Sequence, residues 1–133
     1  MTVGLTKIVV FCALSIAVSG CGNPHADQIS KAKSAVGMRL KDPESARFGE
    51  AFVVVPTEKS DTYPDLKIVC GRVNAKNSYG GYTGEIRFIV WLGKPEGASS
   101  SEVLEVEMEK RSEDNVFTQV WWGPDCSKHK QSR

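Results

Sequence analysis

Histidine is nearly missing from this 133-residue chain: there are two, His25 and His129, both near the ends. The chain therefore offers no imidazole in its middle to serve a cleft as general base or metal ligand. No charge of one sign dominates. The 17 Lys and Arg stand against 16 Asp and Glu, a formal net charge of +1, which gives no global field for steering onto DNA, RNA or acidic lipid. No glycine-rich segment ends in Gly-Lys-Ser/Thr as a P-loop does, and no serine sits in the Gly-x-Ser-x-Gly turn of hydrolases. No apolar run reaches the roughly 20 residues that a spanning helix needs. With 41% hydrophobic residues, one domain with a modest core is expected, and neither cofactor nor metal.

What is present starts with an address. Residues 1–20 carry one early charge, Lys7, then Ile8-Val9-Val10-Phe11-Cys12-Ala13-Leu14 and Ile16-Ala17-Val18. A positive start, an apolar middle and small residues afterwards describe a secretory signal. The alternative is a short buried helix. The segment ends Val18-Ser19-Gly20-Cys21, which resembles the lipobox of bacterial lipoproteins. That resemblance implies cleavage before Cys21 and lipidation of its side chain and new amino group. Two or three acyl chains anchor stably where one holds only marginally. Gly22 follows the cysteine instead of the Asp that favours inner-membrane retention in such lipoproteins, so the implied location is the outer membrane, facing the periplasm. The alternative is an ordinary signal followed by a free or bridged Cys21. Removing residues 1–20 takes away Lys7 and no acid, which balances the remainder at 16 basic and 16 acidic side chains. No nucleic-acid partner is expected.

Cys12 falls in the signal and Cys21 in the lipobox, which leaves Cys70 and Cys126 in a compartment where disulfides persist. A bridge between them closes a loop of about 57 residues, for which chain entropy gives ~4 kcal/mol of stabilisation. Two other uses compete. Cys126-Ser127-Lys128-His129 has a Cys-x-x-His spacing which, with Cys70 and His25, would suit zinc, but neither cysteine belongs to a Cys-x-x-Cys pair. A nucleophilic cysteine would need a positioned base, and His25 and His129 are the candidates. A structural disulfide is the preferred reading, within one chain or between two.

Along the chain, 21–28 reads as a tether, 29–126 as one domain and 127–133 as a flexible basic tail. Ala26, Ile29, Ala32 or Lys33, Val36 and Leu40 recur at helical steps and predict a helix over Ala26–Lys41. Asp42-Pro43-Glu44-Ser45 predicts a second helical start, with Asp as N-cap and Pro at the first position, giving one turn through Arg47 with Phe48 pointing into the core. Strands are predicted over Ala51–Val55, Leu66–Asn74, Gly84–Leu92, Val103–Met108 and Val116–Trp122. In the third, Ile86, Phe88, Val90 and Leu92 share one face. Trp121 and Trp122, in the last, should point to opposite sides of the sheet. The expectation is an α+β domain, with the N-terminal helix packed on one face of a four- to five-stranded antiparallel sheet. Residues 66–88 hold four bases against one acid, and 94–115 hold seven acids against three bases. Strands from the two regions either pair these charges or present two solvated faces.

The segment Asn74-Ala75-Lys76-Asn77-Ser78-Tyr79-Gly80-Gly81-Tyr82-Thr83-Gly84 is the most unusual. Its glycines permit positive φ, its asparagines offer turn-forming side chains, and Tyr79 and Tyr82 flank the Gly-Gly. Together with Cys70-Gly71-Arg72-Val73 and the upstream Leu40-Lys41-Asp42-Pro43-Glu44-Ser45-Ala46-Arg47-Phe48, it resembles a group of small secreted or lipid-anchored bacterial proteins, some of them carried on phages or mobile elements. The resemblance covers roughly Val36–Phe88 and implies a shared fold, with no activity attached. Tyr supplies large contact area at low entropic cost, which makes Asn74, Asn77, Tyr79, Gly80, Gly81 and Tyr82 a candidate partner-binding loop. The competing interpretation is a hairpin connection whose tyrosines lie back on the sheet.

These features favour a non-catalytic binding module, membrane-held through lipid on Cys21, whose partner is an envelope protein or a cell-wall polymer. Three alternatives stand beside it. One is an exclusion factor that blocks an envelope component against a competing phage or plasmid. Another is an architectural envelope lipoprotein. The third is a small cell-wall hydrolase working through paired carboxylates.

Overall fold

The structure, a computed structural model, describes residues 22–127. The signal segment 1–20, Cys21, and residues 128–133 of the basic tail with His129 lie outside the described residues. Helix α1 spans Ala26–Gly37, and a single 3-10 turn covers Pro43–Ser45. Four strands follow: β1 (Arg47–Val54), β2 (Lys67–Asn74), β3 (Ile86–Gly93) and β4 (Glu102–Met108). They pair antiparallel in the order β1-β2-β3-β4. The domain is therefore α+β around one antiparallel meander.

Helix α1 stops at Gly37, short of the predicted Lys41, and two tight turns follow in which the Arg39 and Leu40 amides donate to the Val36 and Gly37 carbonyls. Glycine is the costliest non-proline residue to hold in a helix interior, so the ending falls at the weakest point of the predicted run. Asp42 caps the next turn as predicted, its carboxylate accepting from the Ser45 amide. The turn closes at Ser45, and β1 begins at Arg47, four residues before the predicted Ala51. The early start was hidden by a bulge between Phe48 and Ala51 that interrupts the alternation.

Strand β3 alternates as predicted and divides the interior in two. Phe88, Val90 and Leu92 join Val69, Val73 and Val106 in one buried cluster, which also includes Ala32, Ala35 and Val36 of α1. Phe48 packs against this cluster, edge-on to Phe88 at 6.0 Å between ring centres. Gly71 lies opposite Phe88 in the register, and a Cβ there would collide with the edge of the Phe88 ring, 2.8 Å from Cε1. Ile89 belongs to a second cluster, with Val54, Ile68, Cys70, Phe117 and Cys126.

The predicted fifth strand, Val116–Trp122, is helical. The chain is α-helical at Asn115–Phe117, π-helical at Thr118–Trp122 and α-helical again at Gly123–Asp125. Asp114 starts the run by accepting at Oδ1 from the Val116 and Phe117 amides. The Gly123 amide bonds the Thr118 carbonyl in the wider π pattern, and that carbonyl would lie 2.8 Å from any Cβ at position 123. Val116 and Val120 face solvent while Phe117 is buried, a period of four that the apolar composition concealed. Trp121 and Trp122 therefore do not straddle a sheet. Both are half-buried against the second cluster, Trp121 edge-on to Trp91 at 5.6 Å and Trp122 edge-on to Phe52 at 6.4 Å.

Candidate functional site

Helix α1 and strand β4 rise in the same direction. Lys31 Nζ donates to the Ser101 carbonyl just before β4, and Arg39 Nη1 donates to the Val106 carbonyl near its end. The domain thus has two ends. One holds the start of α1 with the connections 55–66 and 94–101. The other holds the Pro43–Ser45 turn and the β2–β3 connection 75–85.

At this second end, the Pro43–Ser45 turn and the β2–β3 connection are knitted together. Ser45 is the knot: its hydroxyl accepts from the Lys76 amide at 2.8 Å and donates to the Asp42 carbonyl at 2.8 Å. Its carbonyl accepts from the Tyr82 hydroxyl at 3.0 Å. The Arg47 guanidinium stacks over the Tyr82 ring at 4.4 Å, and Lys76 Nζ approaches the same ring at 5.8 Å. Tyr82 is bound into the fold, while Lys76 and Tyr82 pair across the neck of the loop.

The loop tip is organised by Asn77. Its side-chain oxygen accepts from the Tyr79 and Gly81 amides, its own amide donates to the Gly81 carbonyl, and its carbonyl accepts from Gly80. Gly80 takes φ +82°, a left-handed conformation that suits glycine. Asn77, Gly80 and Gly81 thus form one closed turn, with Tyr79 at its apex 96% exposed. Asn74 stands apart at the end of β2, opposite Arg47, with its buried Oδ1 unpartnered. The six candidate residues thereby separate into a hydrogen-bonded turn, one projecting aromatic, one tethered aromatic and one strand-end amide.

The cysteines form the bridge favoured by the sequence: Cys70 and Cys126 are disulfide-bonded within the chain, their Cα atoms 6.0 Å apart. Both sulfurs are occupied, so neither serves as a thiolate nucleophile or zinc ligand while the bridge stands. Among the described residues, no group of three or more His, Cys, Asp or Glu gathers to hold a metal ion.

Sequence reasoning missed Glu109, which is 3% exposed, and its partner Arg87. Both Glu109 oxygens accept from Arg87, through its amide and guanidinium, and Oε1 also accepts from the Asp114 amide at 2.8 Å. Arg87 further reaches Thr118 Oγ1 at 2.7 Å and stacks near Phe117 and Trp122 at 5.5 and 5.3 Å. Burial pushes the Glu109 carboxyl up, but the Arg87 and Asp114 hydrogen bonds outweigh it and hold the group below its ordinary range. Burial alone raises Asp125. The opposed charge counts of 66–88 and 94–115 were the signal for this pair. They marked the two regions without singling out Arg87 and Glu109.

No protein-family model matches the chain, and no curated protein or solved structure matches it either.

Proposed function

We propose that this chain is a lipid-anchored, non-catalytic recognition module of the bacterial envelope, held through Cys21 in the outer membrane and facing the periplasm. The lipobox-like Val18-Ser19-Gly20-Cys21 supports the anchor. The arrangement of the two ends supports the direction. A tether of a few residues enters α1 at one end, and α1's 12 residues carry the chain about 18 Å toward the end that bears the Asn77–Gly81 turn. In this reading α1 covers one face of the sheet, which the cluster it shares with β2, β3 and β4 supports.

One observation carries the recognition reading: Tyr79 is almost wholly exposed on a turn fixed by its own hydrogen bonds. A pre-ordered loop presenting an aromatic side chain loses little entropy on binding. Such an anchor suits a folded envelope protein or a cell-wall polymer.

Two measurements test the proposal separately. Labelling with an alkyne fatty acid should mark the wild type and not Cys21→Ser; equal labelling of both, or of neither, removes the anchor. A crosslinking pull-down from the native envelope should recover a saturable partner with the wild type and lose it with Tyr79→Ala at an unchanged melting temperature. Equal recovery by the two forms would remove Tyr79 from the site. Tyr82→Ala is the wrong probe, because it would cut the bond to Ser45 and disturb the loop itself.

A further inference from the structure

Beside the Tyr79 turn, at the same end of the molecule, lies a groove of about 520 Å³ between the chain after α1, the β2–β3 connection and the end of β4. That volume falls in the range of small-molecule sites. Its described lining includes four cations: Arg39, Lys41, Lys76 and Lys110. The carboxylate among them, Glu109, is already engaged by Arg87 and the Asp114 amide. Leu40, Ile86 and Met108 supply an apolar wall. The chain as a whole is nearly neutral, so this concentration of positive charge is local.

We propose that this groove binds a phosphate-bearing ligand. The cation set favours phosphate over carboxylate. A phosphate monoester carries a charge of about −1.5 to −2 against the single charge of a carboxylate, and lysines meet it as point charges from several directions. Three of the four cations are lysines, and Arg39 already has one guanidinium nitrogen committed to the Val106 carbonyl. The apolar wall accommodates the body of a phosphate monoester. The site goes beyond the recognition reading, since it needs neither the lipid anchor nor Tyr79.

The test is calorimetric titration of the full chain, bridge intact and in neutral detergent, with pyrophosphate, glycerol 3-phosphate, dihexanoylphosphatidic acid and citrate. Pyrophosphate should bind saturably at one site per chain and more weakly as salt rises. The combined Lys76→Gln/Lys110→Gln substitution should weaken binding by about tenfold, and Lys76→Arg/Lys110→Arg should restore it. Lys59→Gln removes the same kind of charge from the opposite end and should change nothing. Tighter binding of dihexanoylphosphatidic acid than of glycerol 3-phosphate assigns the phosphate to a lipid headgroup, and equal affinity assigns it to a free monoester. Absence of saturable pyrophosphate binding, an equal loss in Lys59→Gln, or a preference for citrate would each overturn the proposal. Melting curves establish that every variant is folded.

Discussion

The two faces of the sheet are buried in different ways. On one face, the cluster is almost wholly aliphatic, with Phe88 and Phe48 as its rings. A regular 12-residue helix supplies Ala32, Ala35 and Val36. On the other face, helical pieces of three, five and three residues bring in aromatics and lead to the disulfide at Cys126, beside an ion pair between Arg87 of β3 and Glu109 after β4. Helix nucleation is costly, and so short a run does not hold itself in water. The first face can rely on area. The second needs fasteners, and the chain provides a covalent one at Cys126 and an ionic one at Glu109.

The sharpest way to break this comparison is to remove the covalent fastener. Cys70→Ala/Cys126→Ala should cost ~4 kcal/mol of unfolding free energy by the chain-entropy estimate, read from urea unfolding against the wild type. Hydrogen exchange should show amides of 115–125 losing protection while those of α1 keep theirs. Equal loss over both faces would mean that the faces form one cooperative unit and that the distinction is only compositional.

Removing the ionic fastener should come next. Glu109→Gln leaves the half-buried Arg87 without its counter-charge, a loss of about 3 kcal/mol at most. The same substitution carries a pH signature. The Glu109 carboxyl sits below its ordinary 4.5 in the folded protein. Between the two values the unfolded chain binds a proton that the folded chain does not, so acid favours unfolding. Its stabilisation is complete above 4.5 and is lost as pH falls through the folded value. Wild-type stability should therefore fall faster than that of Glu109→Gln below pH 4.5. Asp65, lowered chiefly by the Lys94 amide, retains its own part of the slope in both. Parallel profiles would take Glu109 out of the acid response.

Gly71→Ala strikes the other face and spares both fasteners. The added methyl collides with the Phe88 ring, which is itself enclosed in the core, and overpacking of this kind costs about 2 kcal/mol. If the faces differ as described, hydrogen exchange should now show α1 losing protection before 115–125, the reverse of the cysteine variant.

The same contrast explains what could be read in the sequence. The stripe of α1, the alternation of β3 and the pairing of Cys70 with Cys126 were legible because each follows from local periodicity or from elimination. The helical run was misread because Val116, Phe117, Val120, Trp121 and Trp122 have the composition of a strand. Its identifying marks were weaker: an Asp114 cap and the exposed pair Val116 and Val120, spaced by four. At the loop, the segment was legible and the division of labour was not. Tyr79 and Tyr82 look equivalent in sequence, and what separates them is the Ser45 carbonyl, 37 residues upstream. Glu109 and Arg87 could be foreseen only as an imbalance of charge between two regions, since burial decides which pair matters.

The smallest effect sharpens the comparison most. Two polar ties run from α1 and the chain just after it to the edge strand and the residue before it: Lys31 of α1 at the Ser101 carbonyl and Arg39, two residues past α1, at the Val106 carbonyl of β4. If area alone holds this face, the exposed Lys31 bond should be nearly dispensable, and Lys31→Met should shift unfolding by no more than about 0.5 kcal/mol. The Ser101 carbonyl is left to water, which satisfies it at little cost because the bond lies at the surface. A loss above 1 kcal/mol in urea unfolding would show that α1, too, depends on a fastener. The two faces would then differ in the kind of attachment and no longer in the need for one.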